Sequence, residues 1–331
     1  MTDYQTHKAL VLDYYRALDN ASGDAITEAI APYFSESVDF KAVHPFNEIT
    51  NIERVAGEIW QPLHSAFSHL QRRMDVFFAG TSIDGESDWV VSMGHFMGLH
   101  DRAWLGIRPT GRIAMIRYAD FNQVKDGKIV QTGFFVDIIG VMKQAGINPL
   151  PTQTGAELIT PGPRTHDGLL FDAHPPEEGA ATLDLLHRMI DDLVATYGKR
   201  MLADELRRTW CEDMAWYGPS GIGATYSVER YQKQHQYPFR EGFKDFSLNG
   251  HVARFAEGHY AGFFGWPNLT LTPVGGFLGL PANDQPTHMR VVDIYRREGD
   301  KLAENWVLID IPWWLQQQGI DVLARTEAHA S

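Results

Sequence analysis

The stretch Arg290–Asp321, RVVDIYRREGDKLAENWVLIDIPWWLQQQGID, restates Arg117–Asn148, RYADFNQVKDGKIVQTGFFVDIIGVMKQAGIN. A shift of 173 carries Leu105 to Leu278, Arg117 to Arg290, Asp120 to Asp293, Asp137 to Asp310 and Gly146 to Gly319. It holds without a gap over the 44 positions from 105 to 148 and yields ten identities, where ordinary composition yields roughly two or three. Upstream the shift becomes 176 and lays IERVAGEIWQPLHSAF (Ile52–Phe67) over VERYQKQHQYPFREGF (Val228–Phe243), with Glu, Arg, Pro and Phe in common. A period near 175 residues is too long for a solenoid. The chain is a duplicated domain.

Its 331 residues allow two domains, each able to bury its own core. The copies are expected at 1–148 and 180–325. Residues 149–179, rich in Pro, Gly and Thr, read as a linker. Within the linker, the apolar Gly168–Phe171 is expected to pack on a domain surface. A net charge of −13 disfavours nucleic acid or an anionic membrane as partner. No stretch approaches the roughly 20 apolar residues of a membrane span, and the N-terminus lacks the pattern of a secretory signal. The single Cys211 excludes an intrachain disulfide. A soluble, cytoplasmic protein is expected.

Each copy places helices first and strands later. His7–Asp19 and Leu183–Gly198 carry apolar residues at helical spacing. A short strand or turn follows, then a second helix, with Asn51 and Ser227 as its N-caps in the two copies. Four strand-like runs come next, and KDGK and EGDK mark the turn between the last two. Helices followed by an antiparallel meander predict an α+β fold. A curved sheet wrapped around helices leaves a conical hollow open at one end, the natural pocket.

The last third of each copy carries a recognisable signature: a strand D-[IF]-x-x, then [DE]-G-x-K-[IL], E-N-W, and an Asp before a short helix ending Q-x-G. The second copy supplies Asp293, Lys301, Glu304, Asn305, Trp306, Asp310 and Gly319; the first keeps Asp120, Gly127, Lys128, Ile129, Asp137 and Gly146 but has Gln131, Thr132 and Gly133 at E-N-W. This resembles the SnoaL-like polyketide cyclases of the nuclear-transport-factor-2-like superfamily. The resemblance implies two tandem cone-shaped α+β barrels, each a curved antiparallel sheet around N-terminal helices. Because such domains pair through their sheets, it also implies an intrachain pseudo-dimer, with room for further association.

Tyr118, Asp120 and Asn122 share one strand face, as do Val291, Asp293 and Tyr295. A carboxyl among apolar neighbours is expected to hold its proton more tightly and so serve as a better base than one in water. The resemblance makes Asp293 and Asp120 the catalytic candidates. They would remove a proton from a carbon flanked by carbonyls, without metal or cofactor, in a small hydrophobic polyketide-like molecule. The competing reading is a strand aspartate paired with Arg296 or Lys125 around a sheet edge. Arg117 and Arg290 fall on the opposite face. Asp137 and Asp310, each before a helix, read as N-caps.

Substrate-binding candidates in the second copy are His288, Trp306, Asn305, Tyr295, His235, Tyr260, Phe264 and Trp266; in the first they are Tyr118 and Trp104. Trp266–Asp284 reads as a lid over the cone or as a plain loop. Gly218–Tyr226 lacks the context of a dinucleotide loop. His166, Asp167, Asp172 and His174 lack metal-ligand spacing. Two alternatives stand beside the cyclase: a non-catalytic small-ligand or structural protein, and an epoxide-opening hydrolase. The hydrolase needs paired aspartates around an arginine, and no second aspartate lies on the required strand face.

Overall fold

The computed structural model describes residues 4–328. Two compact units emerge. The first comprises residues 4–147, 164–173 and 321–328; the second comprises 148–163 and 174–320.

In the first unit, helix Tyr4–Asn20 buries Lys8, Val11, Tyr14, Tyr15 and Leu18, the spacing of one helical face. Strands follow: β1 (Phe34–Ala42), β2 (Asn47–Ile49), β3 (Phe67–Thr81), β4 (Asp88–His100), β5 (Ile113–Lys125) and β6 (Lys128–Val136). They form one sheet in the order β2-β1-β6-β5-β4-β3. The second unit has β7 (Trp210–Tyr217), β8 (Ala224–Tyr226), β9 (Phe243–Leu248), β10 (Ala253–Glu257), β11 (Tyr260–Pro273), β12 (Thr287–Glu298) and β13 (Lys301–Ile309). Their order is β10-β11-β12-β13-β7-β8, with β9 also on β11. Its helix Pro176–Ala195 buries Leu185, Leu186, Met189 and Ile190.

Both sheets are mixed rather than wholly antiparallel, because β1 runs parallel to β6 and β7 parallel to β13. The early strand returns beside the last one after the intervening meander, so the pairing is long-range and carries no local turn signal. The repeat is structural as well as sequential. A π-helical turn at Ala56–Trp60 recurs at Gln232–Gln236, 176 residues on, each two residues before a proline (Pro62, Pro238) that lacks an N–H for the ladder.

Asn51 caps its helix by accepting from the Arg54 amide at 2.8 Å. Ser227 does not cap: its φ is 68°, and no side-chain bond reaches the helix. Asp137 and Asp310 are N-caps, accepting from the amides of Gly140 and Trp313. Asp310 also takes Arg290 at 3.2 Å, and the Arg290 guanidinium lies 3.8 Å from the ring centroids of both Trp266 and Trp313. The stretch from Trp266 is no lid over its first half. As far as Pro273 it continues β11, past a register shift between Gly265 and Leu269. In the linker, the Phe77 amide bonds the Gly168 carbonyl and the Leu170 amide bonds the Phe77 carbonyl, both at 2.8 Å; Leu170 is buried and its carbonyl accepts from Lys8 Nζ at 2.6 Å.

Candidate functional site

In the second unit, alternation along the strands turns Met289, Val291, Asp293 and Tyr295 of β12, and Asn305, Val307 and Ile309 of β13, to one side of the sheet. Helix Pro176–Ala195 opposes them with Met189, Ile190, Leu193 and Val194, and the helical stretch 228–242 adds Tyr231, His235, Phe239 and Arg240. Between these walls lies a cavity of about 150 Å³. A hollow of that size takes a molecule such as benzene.

Asp293 sits on the cavity wall and is 8% exposed. Its Oδ1 accepts from the Tyr295 hydroxyl at 3.1 Å and from Asn305 Nδ2 at 3.0 Å. Burial, and then the Asp293 charge, raise the Tyr295 phenol well above its usual value, so it remains a donor at neutral pH. Arg296 does not turn in to meet Asp293, since it is paired with Glu304 and Glu298 on the other face. His235 stacks on Trp216 at 3.9 Å, and burial followed by the nearby Arg240 charge pushes it down to about 3. It is therefore a neutral imidazole.

The first unit builds something different at the equivalent strand position. Asp120, 1% exposed, accepts from the Tyr15 hydroxyl at 2.9 Å and from Asn122 Nδ2 at 3.0 Å. Thr132, at the position of Asn305, donates to Asn122 at 2.9 Å. Arg72 lies 3.8 Å from Asp120 and 3.9 Å from Asp19. Its guanidinium carbon lies 3.8 Å from the Tyr15 ring centroid, 4.7 Å from that of Phe96 and 5.1 Å from that of Tyr118.

The shift of 176 that joins Phe67 to Phe243 joins Arg72 to Leu248, and the paired residues on the neighbouring strand, Phe96 and Leu269, are also equivalent. Aligning the helices by their buried faces, Val11 with Leu186 and Tyr14 with Met189, sets Tyr15 against Ile190 and Asp19 against Val194. Ile190, Val194 and Leu248 all line the second unit's cavity. A tyrosine, an aspartate and an arginine stand in the first unit where three aliphatic side chains border the hollow of the second.

Burial raises the Asp120 carboxyl from 3.8 to about 6, against the opposing pull of Arg72 and of the Tyr15 and Asn122 hydrogen bonds. The neutral carboxyl therefore favours the folded state. This contribution is complete below about pH 4 and is lost as pH rises through about 6, on the order of 3 kcal/mol in all. Between pH 4 and 8, the stability of the wild type measured against Asp120→Asn should shift against the wild type by that amount. A difference that stays flat with pH would reject the assignment.

Of the residues expected to bind substrate, the cavity gathers Asp293, Tyr295, Asn305 and His235. Trp306, His288, Tyr260, Phe264 and Trp266 are not among its lining residues. Trp306 is one residue from Asn305 and so faces the other way, donating to the Pro161 carbonyl at 2.9 Å and stacking with Tyr217. His288 alternates against Met289 and Val291 and bonds Thr270 at 2.9 Å. Tyr260 and Phe264 are buried out of phase with Phe263, which does line the cavity, and Trp266 covers Arg290. In the first unit Tyr118 belongs to the aromatic cage around Arg72, whereas Trp104 packs edge-on to Phe67 at 5.8 Å. Strand reasoning did not find Arg72, Asp19, Tyr15 or Arg240. The shift of 176 marks Arg72 opposite Leu248, but no local motif singles out the others.

Residues 13–145 match the family model of the SnoaL-like polyketide cyclases. The match falls within the first unit and covers 133 of the 331 residues. Solved structures with the same SnoaL-like or nuclear-transport-factor-2-like description are similar to it. A protein described as a SnoaL-like polyketide cyclase, from Jannaschia sp. CCS1, is 15% identical, with 42% of this chain and 90% of that one covered at a TM-score of 0.35. A nuclear-transport-factor-2-like protein from Burkholderia thailandensis E264 is 19% identical over 42% and 95% of the two chains, TM-score 0.32. AclR from Streptomyces galilaeus, described as a hydroxylase, is 19% identical over 42% and 94%, TM-score 0.35. No curated protein matches. The chain folds as two α+β units, each built on one mixed sheet. No described helix is long and apolar enough to cross a membrane.

Proposed function

We propose that the second unit is the working half of a SnoaL-like cyclase or isomerase, with Asp293 as general base toward a small hydrophobic carbonyl compound. The observation that carries this reading is a carboxylate bordering an apolar, ring-sized cavity with two donors, Tyr295 and Asn305, on the same oxygen. The donors fix the carboxylate's orientation. The step balances without a further reagent. Asp293 takes the proton from a carbon between two carbonyls, and the C–H electron pair moves onto a carbonyl oxygen as an enolate. The enolate carbon then attacks a second carbonyl of the same molecule, whose oxygen recovers the proton from Asp293. In the first unit, where Arg72 replaces the leucine, Asp120 is a structural carboxyl.

In D2O, the central methylene of 1-phenylbutane-1,3-dione should exchange faster in the presence of the protein, saturably, as followed by proton NMR. Asp120→Asn should leave that acceleration unchanged within about threefold. Absence of a saturable acceleration, or its loss in Asp120→Asn, would count against the second unit as the site.

A second reading attaches to the first unit. Asp19, contributed by the helix rather than a strand, supplies the second carboxylate beside Arg72 that an epoxide-opening hydrolase requires. The close aromatic packing on the guanidinium and the two hydrogen bonds already held by Asp120 favour the structural role.

A further inference from the structure

Arg240 is 8% exposed and lines the second unit's cavity from the helical side. Its Nη2 donates to the Leu193 carbonyl at 2.9 Å and to Thr196 Oγ1 at 3.3 Å, and its guanidinium carbon lies 4.8 Å from the Tyr197 ring centroid and 5.5 Å from that of Phe246. These contacts set the plane of the fork. Its Nη1 is buried and has no hydrogen-bond partner, and no carboxylate among the described residues is paired with it. An arginine stays charged even when burial lowers its pKa, as it does here. Buried charges are as a rule paired and hydrogen-bonded. The first unit sets Arg72 3.9 Å from Asp19 and 3.8 Å from Asp120, charge pairing without a hydrogen bond to any of its guanidinium nitrogens, and at the position of Arg240 it carries His64, which burial and then Arg72 push down to about 4. The second unit keeps a cation and supplies no counter-ion. Beside it His235 also has a buried Nδ1 without a partner.

We propose that Arg240 receives an anionic oxygen of the ligand, so that the cavity selects a ring-sized apolar compound bearing a carboxylate or an acidic enol. This rests on the cavity being the substrate site, as argued above, but not on proton transfer by Asp293. During enolisation the same nitrogen would face the oxygen on which charge develops, which makes an acidic 1,3-dicarbonyl a better fit than a simple ketone.

Benzoate and its neutral isostere benzamide, titrated calorimetrically into the full chain, provide the test. Benzoate should bind about 10- to 100-fold more tightly, the range for a hydrogen bond to a charged group. Arg240→Gln should remove that preference and leave benzamide within about threefold. Because Arg240 also ties down the end of helix Pro176–Ala195, Arg240→Lys serves as a second variant, expected to keep the charge preference in reduced form. Asp293→Asn should bind benzoate at least as well as the wild type. Equal affinity for the two probes in the wild type, a preference that survives Arg240→Gln, or no binding of either at about 10 mM would overturn the proposal. Loss of methylene exchange with an intact benzoate preference would instead reject only the base.

Discussion

Asp293→Asn should slow methylene exchange and ring closure by about 10²- to 10⁴-fold, the usual contribution of a positioned general base. The substitution is nearly isosteric. An asparagine oxygen can still accept from the Tyr295 hydroxyl and from Asn305, so the hydrogen bonds that orient the carboxylate have a counterpart in the variant. What disappears is the carboxylate oxygen that would take the proton. The variant should therefore fold and bind benzoate while losing turnover, and calorimetry and NMR exchange on the same sample separate the two effects. Exchange within threefold of wild type, with binding intact, would remove Asp293 from the chemistry. Asp120→Asn is the matched control. It changes the same repeat position in the copy where Arg72 lies against the carboxylate.

The duplicated architecture was legible because ten identities at one spacing cannot arise from composition. Alternation also reached part of the site: once Asp293 is taken as inward, Val291, Tyr295 and Met289 follow along the same strand. The same rule, applied across E-N-W, already forbids Asn305 and Trp306 from sharing a face, and the structure turns Trp306 outward to Pro161. His288 is likewise out of phase with Met289. Two features lay beyond such reasoning. The parallel pairing of β1 with β6 depends on a contact across nearly the whole unit. The charged contacts of Arg72 and the position of Arg240 depend on which helix residues face the sheet, and no motif encodes that. The register shift between Gly265 and Leu269 also breaks strand parity within β11, so alternation read from Tyr260 cannot be carried through to Leu269.

The two copies diverge most instructively at the position shared by Arg72 and Leu248, and Arg72→Leu tests what the arginine does. The variant makes that position in the first unit match the second, yet leaves Asp120 buried beside Tyr15 and Asn122 without its cation. Above the pH at which Asp120 gives up its proton, removing one member of a buried pair costs about 3–5 kcal/mol. The loss should appear as a lower urea midpoint and faster hydrogen exchange in β4 and β5, which carry Phe96 and Asp120. The pH dependence should change in step. With the opposing pull of Arg72 gone, burial holds the Asp120 proton more tightly, and the loss of stability with rising pH begins at higher pH and grows larger. Arg72→Leu combined with Asp120→Asn should recover most of the loss, because the orphaned charge is then gone. A single variant as stable as the wild type, or a double variant no better than the single, would show that the arginine and the carboxylate are not energetically coupled. Recovery in the double variant would instead tie the polar filling of the first unit to one electrostatic contact, and make Leu248 the residue that keeps a cation away from the carboxylate wall of the second.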